Sequence, residues 1–134
     1  MILAKYSNTG QFVFADHDRL SRACNAPGGD SAGVYLVYGI TGGHEELIYI
    51  GRSGKASFGK IKNRKGGIKH RIVAGKQFGE ARRTAWPKQM KAENISQLRV
   101  AWYVTHDDCP DAVERRLRQD YEREHGRRPR WNKS

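Results

Sequence analysis

Two short runs restrict this chain more than anything else in it. Residues 33–40 read GVYLVYGI and residues 46–51 read ELIYIG, with TGGHE between them. β-Branched and aromatic side chains fit a pleated, half-buried surface. The paired glycines supply the left-handed positions that a tight reversal needs. The two runs are therefore expected to pair as antiparallel neighbours. Side chains alternate along a strand, so Tyr35 should share a face with Val37, and Tyr49 with Leu47 and Gly51. In a hairpin those faces can coincide and bring two phenols to one side of the sheet.

The rest of the chain is arranged around that hairpin. Residues 11–15 (QFVFA) alternate as a short strand, and Asp16 or Asp18 then caps a short helix through Arg22. The turn-rich stretch NAPGGDSA, residues 25–32, marks where an N-terminal extension (1–30) gives way to the main domain (31–134). After Gly51 comes a glycine- and lysine-rich loop. Residues 68–78 read as a helix that Gly75 weakens. A second helix is expected over 81–92, interrupted early by Pro87, with Trp86 and Met90 on one side. Residues 97–105 give a third strand with Leu98, Val100, Trp102 and Val104 on one face. Pro110 suits the first turn of a last helix running to His125, and GRRPRWNKS closes the chain without regular structure. This order predicts an α/β (α+β) domain: a small three-stranded antiparallel sheet flanked by helices.

Charge narrows the partner. Among 134 residues, 25 are Lys or Arg and 14 are acidic, a formal net charge of +11. Each phosphate that such a surface neutralises releases condensed counterions, so a nucleic acid is the expected partner. Cys24 and Cys109 lie far apart and in no CxxC cluster, which argues against structural zinc and leaves both a long-range disulfide and two free thiols open. Polar residues interrupt any apolar run near the amino terminus, and no stretch approaches the roughly 20 apolar residues of a membrane span. The expectation is a cytoplasmic protein that does not enter a membrane.

Gly33-Val34-Tyr35 followed by Tyr49-Ile50-Gly51, on consecutive strands with a basic segment after them, closely resembles the paired signature of the GIY-YIG nuclease superfamily. The resemblance covers residues 33–132 and implies a divalent-metal-dependent endonuclease acting on nucleic acid, DNA favoured over RNA. Tyr35 would orient or deprotonate a water, with Tyr49 supporting it. Gly51 would leave space beside Tyr49 for a phosphate backbone to approach.

The family's helical arginine matches Arg71, which lies at the edge of the stripe set by Ile68 and Ile72 and would stabilise the scissile phosphate. Its metal-ligating glutamate matches Glu114, at the border of the Val113, Leu117 and Tyr121 stripe, where one carboxylate would hold Mg²⁺ or Mn²⁺ with retained waters. Its downstream asparagine matches Asn132, which would orient a phosphate or its own segment. Many relatives carry a histidine or tyrosine one turn after the arginine. Here that position is Gly75, and His44, His70, Lys55, Lys60 and Arg64 are open as substitutes. Arg52, Lys55, Lys60, Arg64 and Lys65 are expected to bind the backbone of the nucleic acid. Trp86, Trp102 and Trp131 are expected in the core or covering it rather than as stacking platforms. A compact chain would draw specificity from loops, a partner or a homodimer. The competing expectation is a relative of the same fold that binds nucleic acid without cutting it.

Overall fold

The computed structural model describes residues 2–57, 60–62 and 66–133. After a 3-10 turn (Ile2–Lys5), the chain forms β1 (Thr9–Ala15), α1 (Leu20–Ala23), β2 (Gly33–Thr41) and β3 (His44–Ser53). Two small hairpins bracket a helix: β4 (Lys55–Ser57) with β5 (Lys60–Lys62), then α2 (Gly67–Ala74), then β6 (Lys76–Gln77) with β7 (Glu80–Ala81). The remaining elements are α3 (Arg82–Ala92), β8 (Gln97–Val104) and α4 (Pro110–His125). The aromatic hairpin forms as expected, turning through Gly42 and Gly43 at φ of 55° and 82°.

The main sheet has four antiparallel strands in the order β1-β8-β2-β3, not the three expected. The added strand is β1, paired along its whole length with β8. Its alternation explains why: Phe12 and Phe14 point into the core, and Phe14 meets Trp86 edge-on at 6.1 Å. Asp18 does not cap α1. Its carboxylate accepts from the Ala15 backbone N–H at 2.8 Å, closing the turn after β1, and Arg19 takes the N-cap position.

Helices cover both sheet faces. On one side Tyr35, Val37, Val100 and Trp102 pack with Ile68 and Ile72 of α2 and Trp86 and Met90 of α3. On the other, Val34, Leu36 and Ile50 pack against Val113, Leu117 and Tyr121 of α4. Burying each such side chain is worth about 1.5–3 kcal/mol, so the two layers together define the register of β2 and β3. That register slips at one place. Val37 pairs with Tyr49 and Tyr38 with Leu47, leaving Ile48 unpaired in a bulge. The extra residue places both Ile48 and Tyr49 against the first cluster and sends Leu47 to the second, so Tyr49 and Leu47 do not share a face.

Two helices also differ from expectation, one in its end and one in its continuity. α2 stops at Ala74, since Gly75 is extended, and the chain turns through Phe78 (φ 56°) and Gly79 (φ 82°) into β7. α3 runs through Pro87 without a break; the carbonyl that Pro87 leaves without a donor is that of Arg83, an exposed residue. Trp86, Trp102 and Trp131 are all buried. Cys24 and Cys109 are free thiols. No helix among the described residues is long and apolar enough to cross a membrane.

The chain end is irregular yet tightly held. Trp131 donates its backbone N–H to Ile48 O at 2.8 Å and its indole N–H to Glu93 at 2.8 Å. The Asn132 amide accepts from Ile50 N at 2.9 Å and donates to Ile50 O at 3.0 Å, imitating a strand partner on the outer edge of β3. Asn132→Ala is expected to cost about 1–3 kcal/mol, because it strips two buried backbone groups of their partners. Urea unfolding checks this; a loss under about 0.5 kcal/mol, the size of an ordinary surface change, would refute it.

Candidate active site

The β2–β3 register builds the centre. Tyr35 lies opposite Gly51, and Tyr49 two pairs further along, on the same face. Their ring centroids are 6.0 Å apart at 41°. A Cβ on Gly51 would come within 2.4 Å of Tyr35 Cζ, 2.6 Å of its hydroxyl and 2.7 Å of Tyr49 Cε2. Gly51 therefore makes room for the two phenols. The space beside Tyr49 that was expected to admit a phosphate is filled by Tyr35 instead.

The two tyrosines are not equivalent. Tyr35 is 0% exposed, and its hydroxyl is buried without a hydrogen-bond partner among the described residues. Tyr49 lines a cleft of about 270 Å³ together with Gln77, Phe78, Glu114, Asn132 and Lys133. Burial pushes the Tyr49 phenol up to about 12, and Tyr35 adds to this, while Arg82 and Arg71 pull it down. At neutral pH Tyr49 is thus a neutral phenol, able to donate its proton in a hydrogen bond.

Glu114 sits at the border of the α4 stripe, as its spacing predicts, and it lines two clefts. The second, of about 410 Å³, is walled by Arg52, Asp111, Arg115 and Arg118. Arg52 Nη1 approaches Glu114 Oε1 at 3.3 Å, and Arg118 Nη1 lies 3.9 Å away. Burial raises the Glu114 pKa despite the opposing pull of those two guanidinium groups. Among the described residues, no group of three or more His, Cys, Asp or Glu side chains is gathered as a metal cage. One half-buried carboxylate bordering a polar cleft does fit a hydrated Mg²⁺, which is held by one or two carboxylates plus substrate phosphate. Arg52 is the group such an ion would have to displace.

Arg71, half-buried on α2, carries a buried Nε with no partner among the described residues. Its charge acts on the Tyr49 phenol, so α2 brings it within electrostatic reach of that tyrosine. Arg52 faces Glu114. Asn132 is brought to the cleft wall, but its amide is committed to Ile50. The side chains of Lys55, Lys60, Arg64 and Lys65 lie outside the described residues. His44 and His70 are exposed.

The group sequence reasoning missed is Arg82, the first residue of α3 and 1% exposed. Its guanidinium carbon lies 5.5 Å from the Tyr35 ring centroid and 5.6 Å from those of Tyr49 and Trp86. A signal was present: the buried stripe of Trp86 and Met90, continued one turn back at i−4, lands on Arg82. Compared with known proteins, the chain matches no family model, no curated sequence and no solved structure.

Proposed function

We propose that the protein is a divalent-metal-dependent endonuclease of the GIY-YIG type, hydrolysing phosphodiester bonds of nucleic acid, DNA before RNA. The observation that carries this reading is the cleft that Tyr49 and Glu114 share, with a partnerless arginine nitrogen close by. The signature tripeptides of β2 and β3 and the net charge of +11 support it independently.

Each side chain then has a defined task. Arg71, with no acidic partner among the described residues, neutralises charge gathering on the scissile phosphate. Tyr49, protonated at neutral pH, donates to and orients the water or a phosphate oxygen. Tyr35, the expected water-facing group, lies beneath and fixes the Tyr49 ring, because burial removes its hydroxyl from the cleft. Glu114 would hold the metal ion, which when bound supplies Lewis-acid polarisation of the phosphate. Arg52 swings from Glu114 to the nucleic-acid backbone as that site fills.

One observation favours the second reading, a binder that does not cut: Glu114 is engaged by Arg52 and Arg118. Plasmid nicking with Mg²⁺, with Mn²⁺ and with EDTA separates the two. Metal-dependent nicking that Arg71→Ala slows supports the nuclease. Intact DNA and RNA at every metal, with both still retarded in a gel, establishes the binder.

A further inference from the structure

We propose that Arg82 is a positioning residue for Tyr49: its guanidinium donates to the phenol oxygen and so directs the phenol's own proton into the cleft shared with Glu114. The effect on turnover rests on the nuclease reading; the contact itself does not.

The guanidinium is fixed from three sides. Nη1 donates to the Arg71 carbonyl at 2.7 Å, which also accepts the Gly75 backbone N–H, and to the Ile72 carbonyl at 3.4 Å, both in the last turn of α2. Nε donates to Gln77 Oε1 at 3.1 Å, and the same oxygen takes the Trp86 indole N–H at 2.9 Å. With the fork held there, Nη2 is left aimed at Tyr49 Oη, 3.5 Å away. Arginine has donors only, so the phenol oxygen must accept. Its hydrogen must then point elsewhere, and the side of Tyr49 that is not packed is the cleft.

Gly75 is what lets the arginine in. A Cβ there would lie 2.5 Å from Arg82 Nη1 and 2.5 Å from the Arg71 carbonyl oxygen. The position that carries no side chain on α2 is occupied from α3. None of the proposed substitutes for that position included Arg82. Among the described residues no carboxylate pairs with it, and every acceptor it has is neutral. A buried cation without a carboxylate is costly, and a simple structural plug at this place would need no charge. The polar chain running from α2 through Arg82 to Tyr49 is what the charge adds.

The test compares Arg82→Gln, which removes the charge, with Arg82→Lys, which keeps it, each alone and with Tyr49→Phe. Turnover is measured on a defined duplex, and the Tyr49 Cζ shift is followed by NMR in protein labelled at tyrosine. Arg82→Gln should lower kcat about tenfold with KM unchanged, the scale of one hydrogen bond from a charged donor. Arg82→Lys should recover part of that loss. With Tyr49→Phe already in place, neither change should lower kcat further. The Tyr49 Cζ resonance should move in Arg82→Gln and return toward its original position in Arg82→Lys. An equal loss of kcat with and without the Tyr49 hydroxyl overturns the proposal, and so does an unmoved resonance in Arg82→Gln. If Arg82→Gln does not fold, the Arg82→Lys and Tyr49→Phe cycle decides in the same way. If the unaltered protein cuts nothing, the nuclease reading fails, while the resonance still decides the contact.

Discussion

Glu114→Gln is expected to lower metal-dependent cleavage by about a thousandfold or more while leaving the fold intact and DNA binding as tight or tighter. The size follows from what the carboxylate would do: without its charge the ion loses the anionic ligand that would hold it, and the Lewis-acid contribution to the barrier is lost with it. The effect on stability has the opposite sense from that of an ordinary buried ion pair. Burial raises the Glu114 pKa in spite of Arg52 and Arg118, so folding disfavours its charged form relative to the unfolded chain. Glutamine is uncharged and nearly isosteric, and it frees two guanidinium groups for phosphate. Thermal unfolding should therefore show an unchanged or higher midpoint, and gel retardation an unchanged or stronger shift. A variant that cuts within tenfold of the parent would remove Glu114 from the chemistry. Acid should imitate the substitution. Because the folded pKa lies above the usual carboxylate value, the contribution of this group to stability is present below that value and is lost as pH rises through the folded pKa. Metal-dependent activity needs the ionised form and moves the other way, falling as pH drops through the same raised pKa. A pH profile of kcat/KM at subsaturating Mg²⁺, where the proton competes with the ion, should place that acid limb above the range of an ordinary glutamate.

What the sequence made legible and what it hid divide along physical lines. The β2–β3 hairpin was readable because its signal is local: β-branched and aromatic residues on both sides of Gly42-Gly43. α4 was readable because Pro110 opens it and Val113, Leu117 and Tyr121 keep the helical period; the same period placed Glu114 at its edge. β1 was readable as a strand from Phe12 and Phe14, but not as a member of the sheet, since its partner β8 lies at the other end of the sequence. The bulge at Ile48 left no mark, because an inserted residue between apolar neighbours looks like uninterrupted alternation. Trp131 was expected in or over the core from its residue type, whereas Asn132 follows no period, and its burial shows only once the edge of β3 is in view. Arg82 was hidden by residue type. Arginines are mostly exposed, and its acceptors, the α2 carbonyls, Gln77 and the Tyr49 hydroxyl, come together only in the folded chain.

Gly51→Ala is expected to reduce cleavage about a hundredfold and to destabilise the protein by about 1–3 kcal/mol, the range for one carbon added to a filled core. The backbone gives no reason for either loss. Gly51 is not among the positive-φ glycines, so alanine can adopt its conformation without strain. The whole effect comes from the 2.4, 2.6 and 2.7 Å approaches to the ends of the Tyr35 and Tyr49 rings. Tyr35 is fully buried with Tyr49 and Arg82 beside its ring, and the methyl also meets the Tyr49 ring directly, so the phenol that borders the cleft is displaced. A shift of about 1 Å at a positioned group is enough for a loss of that size in turnover. Urea unfolding and single-turnover cleavage read the two effects separately. A second change identifies the cause: Tyr35→Leu removes the ring end that the methyl strikes. Combined with Gly51→Ala it should recover more stability than the two separate losses would allow, a coupling of the sign and size seen between residues in direct contact. Cleavage should not recover with it, since the ring that supports Tyr49 is gone. If Gly51→Ala cuts within threefold of the parent, the phenol pair is packing alone and the site must be sought elsewhere on the β3 edge.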